Sequence, residues 1–131
     1  MASEMLHESP EKLSPETVDR HRAIVSIMEE LEAVDWYDQR VDATTDDELR
    51  AILAHNRDEE KEHASMVLEW LRRHDSKVDE FLREYLFTQG SIVGREQALE
   101  GDSSAGAAAA CASGGDCSLG IGSLRAAGTQ S

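Results

Sequence analysis

Between residues 15 and 90 the apolar side chains recur every third or fourth position, the spacing of helices that each bury one stripe. Ala23, Ile27, Leu31 and Val34 share one face of a first helix expected over about 15–41. Leu49, Leu53, Asn56, Val67, Trp70 and Leu71 share one arc of a second over about 46–74, and Val78, Phe81, Leu82, Tyr85 and Leu86 follow at helical spacing after Ser76. Ser14 before Pro15 reads as an N-cap with proline at the first helical position, and Thr45 with Glu48 reads as a capping box. Gly90 offers a stop. The fold class is therefore all-α: an antiparallel two-helix hairpin plus a short third helix. Two helices enclose little, so the hairpin is expected to dimerise into a four-helix bundle.

Three polar residues interrupt this pattern. Glu60 and His63, in "DEEKEHASM", fall within the apolar arc of the second helix, whereas Glu62 and Glu69 point away from it. Glu30 sits among the apolar residues of the first helix, with Tyr37 beside it. Burying an unpaired carboxylate costs several kcal/mol, so such groups are expected to be paired, protonated or bound to a cation. One reading makes Glu60 and His63 an ordinary i, i+3 contact worth about 0.2–0.5 kcal/mol, with Glu30 reaching Arg57 or Arg50. The other takes the three together. Di-metal carboxylate bundles use one Glu from each of two helices and Glu-x-x-His from each of the other two, and this chain holds half of that set. A two-fold dimer would supply the rest. Glu4 and His7 share the Glu-x-x-His spacing, but they precede Pro10 and have no periodic apolar helix around them.

Composition narrows the partners. The 131 residues are 31% charged and 5% aromatic, which leaves little material for a private core and favours burial between subunits. A formal net charge of −14 repels nucleic-acid phosphates and anionic membranes and attracts metal cations. The start of the chain has no basic region followed by an apolar one, and no run approaches a membrane span, so a soluble intracellular protein is expected. All nine glycines lie at Gly90 or later, and both prolines at Pro10 and Pro15. The organisation that follows is an N-terminal extension (1–14), a helical domain (15–89), a flexible low-complexity linker (90–117) and a C-terminal peptide (118–131). The small residues of the tail bury too little surface to offset chain entropy, so disorder is expected there. Cys111 and Cys117 have no histidine nearby and read as reduced, inert thiols.

The segments "HRAIVSIMEELEAVDWYDQR" and "ILAHNRDEEKEHASMVLEWLRR", with the ending "SLGIGSL", resemble the encapsulated ferritins, ferritin-like cargo proteins of bacterial encapsulin nanocompartments. The likeness runs almost continuously over residues 16–89. It implies a ferroxidase whose di-iron site forms across a dimer interface, with Glu30, Glu60 and His63 of each subunit as ligands. It implies that Glu29 and Glu32 form an outer acidic site where iron, calcium or another divalent cation collects, and that Trp36 and Tyr37 border the metal path. It further implies a ring of dimers, commonly a decamer, in the lumen of an encapsulin shell in the bacterial cytoplasm, where the mineral is stored.

Read on spacing alone, Glu29 and Glu32 share a stripe with Val25 and Trp36 away from the dimer core, which suits a solvated acidic face as well as a cation collector. Trp36 and Tyr37 suit packing, with tuning of the metal site as a further role for Tyr37. In the tail, Leu119, Ile121 and Leu124, spaced by Gly120, Gly122 and Ser123, form an apolar island suited to an extended peptide docking in a partner's groove. With the likeness, it reads as the encapsulin-docking peptide. Two other classes remain: a non-catalytic acidic helical adaptor carried as cargo, and a metal buffer that binds iron without oxidising it.

Overall fold

The computed structural model describes residues 5–111, so Glu4, Cys117 and the docking peptide Leu119, Gly120, Ile121, Gly122, Ser123 and Leu124 lie outside the described residues. A short 3-10 turn, Pro10–Lys12, precedes helices α1 (Pro15–Ala43), α2 (Asp47–His74), α3 (Ser76–Tyr85) and α4 (Ile92–Cys111). Among the described residues there is no strand, and no helix is long and apolar enough to cross a membrane. The all-α expectation holds, in an arrangement consistent with a ferritin-like fold. The chain divides into two compact units, 1–86 and 87–131.

In the first unit α1 and α2 form the antiparallel hairpin. Ser14 Oγ accepts a hydrogen bond from Thr17 N at 3.2 Å, with Pro15 at N1, so α1 starts where the sequence places it. α2 starts one residue later than expected: Asp46, not Thr45, is its N-cap, and Asp46 Oδ1 accepts from Leu49 N at 2.8 Å. With Asp46 as N-cap the capping position lies one residue beyond Thr45, and the amide that is capped is that of Leu49 rather than of Glu48. Arg50 closes the hairpin from the other side, donating from Nη2 to Thr44 O at 2.5 Å and from Nε to Val41 O at 3.3 Å. Its guanidinium thereby satisfies orphan carbonyls at the end of α1 and complements the negative end of the helix.

α3 is braced against α2. Asp75 ends α2 and caps α3, accepting from Lys77 N at 3.0 Å and Val78 N at 3.1 Å. Arg72 on α2 donates to Glu69 and to Asp79 on α3, and the two arginines Arg72 and Arg73 hold the Glu69 carboxyl down to about 2. α3 ends at Tyr85, with Leu86 as its C-cap, rather than at Gly90. Phe87 turns the chain with a φ of 59°, a left-handed conformation rare for a non-glycine residue.

Only Ala23, Ala64 and Leu71 are buried among the described residues. Ile24 and Leu31 on α1 and Leu49 and Ile52 on α2 are about half exposed or more. The expectation that Leu31 and Leu49 pack inward is thus unmet within one chain, because two helices leave much of each apolar stripe uncovered. Two helices with so small a fully buried core gain little of the apolar burial that offsets chain entropy.

In the second unit, Ile92–Cys111 is helical, where the sequence pattern gave a flexible linker. Ser91 Oγ accepts from Gly94 N at 3.0 Å at its start. The alanines of "AGAAAAC", read above as low-complexity, have the highest intrinsic helix propensity of any residue, and this local preference favours the helix despite the glycine.

Candidate metal centre

The antiparallel register sets opposite one another residues that are far apart in sequence. From the loop inward, Thr44 meets Arg50, Asp38 meets Arg57, and Glu30 meets Glu60 and His63. Glu60 and His63 share a face because three residues span nearly one turn. His63 Nδ1 lies 3.2 Å from Glu60 Oε2 and 3.7 Å from Glu30 Oε2. One donor atom from each of the three residues lies within 4.8 Å of the others, the grouping of a metal site.

The side chains are not fully enclosed, contrary to the expectation that three polar groups are buried. Glu30 and Glu60 are half-buried and His63 is 53% exposed, because the two helices of the hairpin do not by themselves enclose that face. The electrostatics nonetheless depart from those of a solvated surface. The hydrogen bond to Glu60 holds the Glu30 carboxyl above the ordinary carboxylate range, burial and the negative charge of Glu60 adding to it. Glu60 is lowered by the same bond and by His63, and His63 is raised mainly by its bond to Glu60. The Glu30 carboxyl and the His63 imidazole therefore keep their protons to higher pH than free groups do, and the Glu60 carboxyl loses its proton at lower pH. A divalent cation would relieve the repulsion between the carboxylates, and two carboxylates with one imidazole suit a metal of borderline hardness with oxygen and nitrogen ligands.

The reading that sends Glu30 to an arginine does not survive. Arg57 donates to Asp38 and Asp58 at 2.9 and 3.0 Å, and Arg50 to Asp47 and the hairpin carbonyls. Sequence reasoning missed Asp38. Its signal was the register itself: once Thr44 faces Arg50, a residue near position 38 faces Arg57.

The remaining candidate residues lie along α1. Glu29 and Glu32 are exposed and outside the three-residue grouping, although the charge of Glu29 contributes to the rise at Glu30. Trp36 is 49% exposed. Tyr37 is half-buried, with the Arg40 guanidinium 5.5 Å from its ring centroid.

The chain resembles known proteins along most of its length. Residues 5–89 match the family model described as EncFtn-like. The chain is 67% identical over 126 residues to an encapsulated ferritin-like protein of Rhodospirillum rubrum, an alignment covering 95% of this chain and 90% of the relative. It is 50% identical over 101 residues to a ferritin-like protein of Thermotoga maritima, covering 77% of this chain and 89% of the relative. Among solved structures, the crystal structure of protein ne0167 from Nitrosomonas europaea superposes with a TM-score of 0.64 at 62% identity, covering 66% of this chain and 96% of that one.

Proposed function

The chain belongs to the EncFtn-like family of ferritin-like proteins, and on that premise we propose that it is a ferroxidase carried as cargo in an encapsulin shell. The observation that carries the reading is the convergence of Glu30, Glu60 and His63, with the nearby arginines engaged elsewhere. Fe(II) is the substrate. The two carboxylates bind it in their ionised form, and His63 binds as the neutral ring. Each Fe(II) passes one electron to dioxygen or peroxide and leaves as Fe(III). The side chains supply position and charge rather than redox chemistry.

Three donors per chain leave a metal's coordination shell largely open. A two-fold dimer places a second Glu30, Glu60 and His63 against the first, making a four-helix bundle with a di-iron site at its centre. Exposed Ile24, Leu31, Leu49 and Ile52 supply apolar area for such contacts. Dimers arranged in a ring, such as a decamer, bring together copies of Glu29 and Glu32, where divalent cations including calcium collect before the site, with Trp36 and Tyr37 along the path. Leu119, Ile121 and Leu124 dock the chain in the shell, which places it in the encapsulin lumen of a bacterial cytoplasm.

Anaerobic Fe(II) addition followed by air, watched by absorbance and native mass, tests this. The expected result is stoichiometric binding with assembly, then oxidation. Binding without oxidation identifies a metal buffer, and no binding identifies an adaptor.

A further inference from the structure

Arg57 presents a problem for a cation site. Its side chain is only 22% exposed, it lies on α2 one turn before Glu60, and a guanidinium at that i, i+3 spacing pairs readily with a carboxylate. The same spacing brings Glu60 and His63 into contact at 3.2 Å. Arg57 does not take that position. Its Nη1 donates to Asp38 on α1 at 2.9 Å, and its Nε to Asp58 on α2 at 3.0 Å.

We infer that Asp38, assisted by Asp58, is a positioning residue that holds the Arg57 guanidinium away from Glu60 and so keeps the Glu30–Glu60–His63 cluster open to a divalent cation. The inference rests on the metal-site reading above. It differs from the simpler view that Asp38 and Arg57 brace the helices. In a brace, removing either partner does equal damage. In a restraint, removing the aspartate releases a competing charge, whereas removing the arginine eliminates the competitor.

The test is a double-mutant cycle on the full chain, read by anaerobic Fe(II) binding isotherms and by the melting temperature of the metal-free protein. Asp38→Asn is expected to weaken Fe(II) binding about tenfold, Arg57→Gln to bind at least as tightly as wild type, and the double variant to recover wild-type binding. Asp38→Glu, which keeps the charge, should bind Fe(II) as wild type does. Equal loss in Asp38→Asn and Arg57→Gln, or no recovery in the double variant, overturns the restraint. Should Asp38→Asn fail to fold, Asp58→Asn alone and with Arg57→Gln gives the comparison in a Lys61→Gln background, because Lys61 Nζ also donates to Asp58 Oδ1 at 3.0 Å. Wild-type binding that survives loss of Glu30, Glu60 and His63 together overturns the metal-site reading instead, which separates the two failures.

Discussion

Glu60 Oε2 lies 3.2 Å from His63 Nδ1, one turn along α2, and that contact ties a carboxylate and an imidazole to the carboxyl of Glu30 on the facing helix. The proximity couples proton and metal occupancy. Glu30 and His63 are both raised from their ordinary values, so each gives up its proton at higher pH than a free group and competes with a cation further up the pH scale. Fe(II) affinity is therefore expected to rise with pH and to weaken progressively as pH falls through the raised His63 transition. Binding isotherms between pH 5.5 and 8.5 check this; an affinity flat across that range would rule out the imidazole as ligand.

Removing the ligands separates fold from site. Glu30→Ala, Glu60→Ala and His63→Ala are each expected to weaken iron binding and slow oxidation at least tenfold while retaining helix content, since none of the three is buried. Light scattering of the metal-free protein with and without Fe(II) should show iron-promoted association in the wild type and loss of that response in the variants. Full-rate oxidation by a strict monomer contradicts a shared site.

Glu29 and Glu32 stand outside the cluster, so replacing both with Ala is expected to slow Fe(II) capture several-fold and to reduce its salt sensitivity, with little change in final stoichiometry. Stopped-flow mixing at low and high ionic strength measures this. Loss of the bound iron itself would instead identify them as ligands.

The peptide 118–131 and the hairpin are proposed to act independently. Deleting it should leave Fe(II) oxidation unchanged and abolish co-purification with a co-expressed encapsulin shell. A truncated chain that still loads the shell places the docking contact elsewhere.

Arg72 offers a control remote from the site. Arg72→Ala removes the link between Glu69 on α2 and Asp79 on α3 and is expected to raise amide exchange in α3 about tenfold while leaving Fe(II) binding intact. Because Arg83 and Arg72 hold the Asp79 carboxyl below its ordinary value, the brace contributes above the unfolded carboxyl range and is lost as pH falls through that lowered value.

Much was legible in the chain itself. The 3.6-residue spacing of Ala23 to Val34 and of Leu53 to Leu71, with Ser14 and Pro15 at the start, determined both long helices, because periodicity and capping are local properties. Glu30, Glu60 and His63 were visible as polar intrusions on apolar faces. Propensity and local competition decided the differences at Asp46, Tyr85 and Ile92–Cys111, where more than one cap, stop or state was chemically available. Only the tertiary structure decided register. Helical spacing says which residues share a face but not which residue on α1 meets which on α2, and that pairing comes from Arg50 closing the hairpin and Arg57 reaching Asp38. That register brings Glu30 to His63 and directs Arg57 to the aspartates, since a contact across two helices depends on their relative axial position, which periodicity along either helix leaves free.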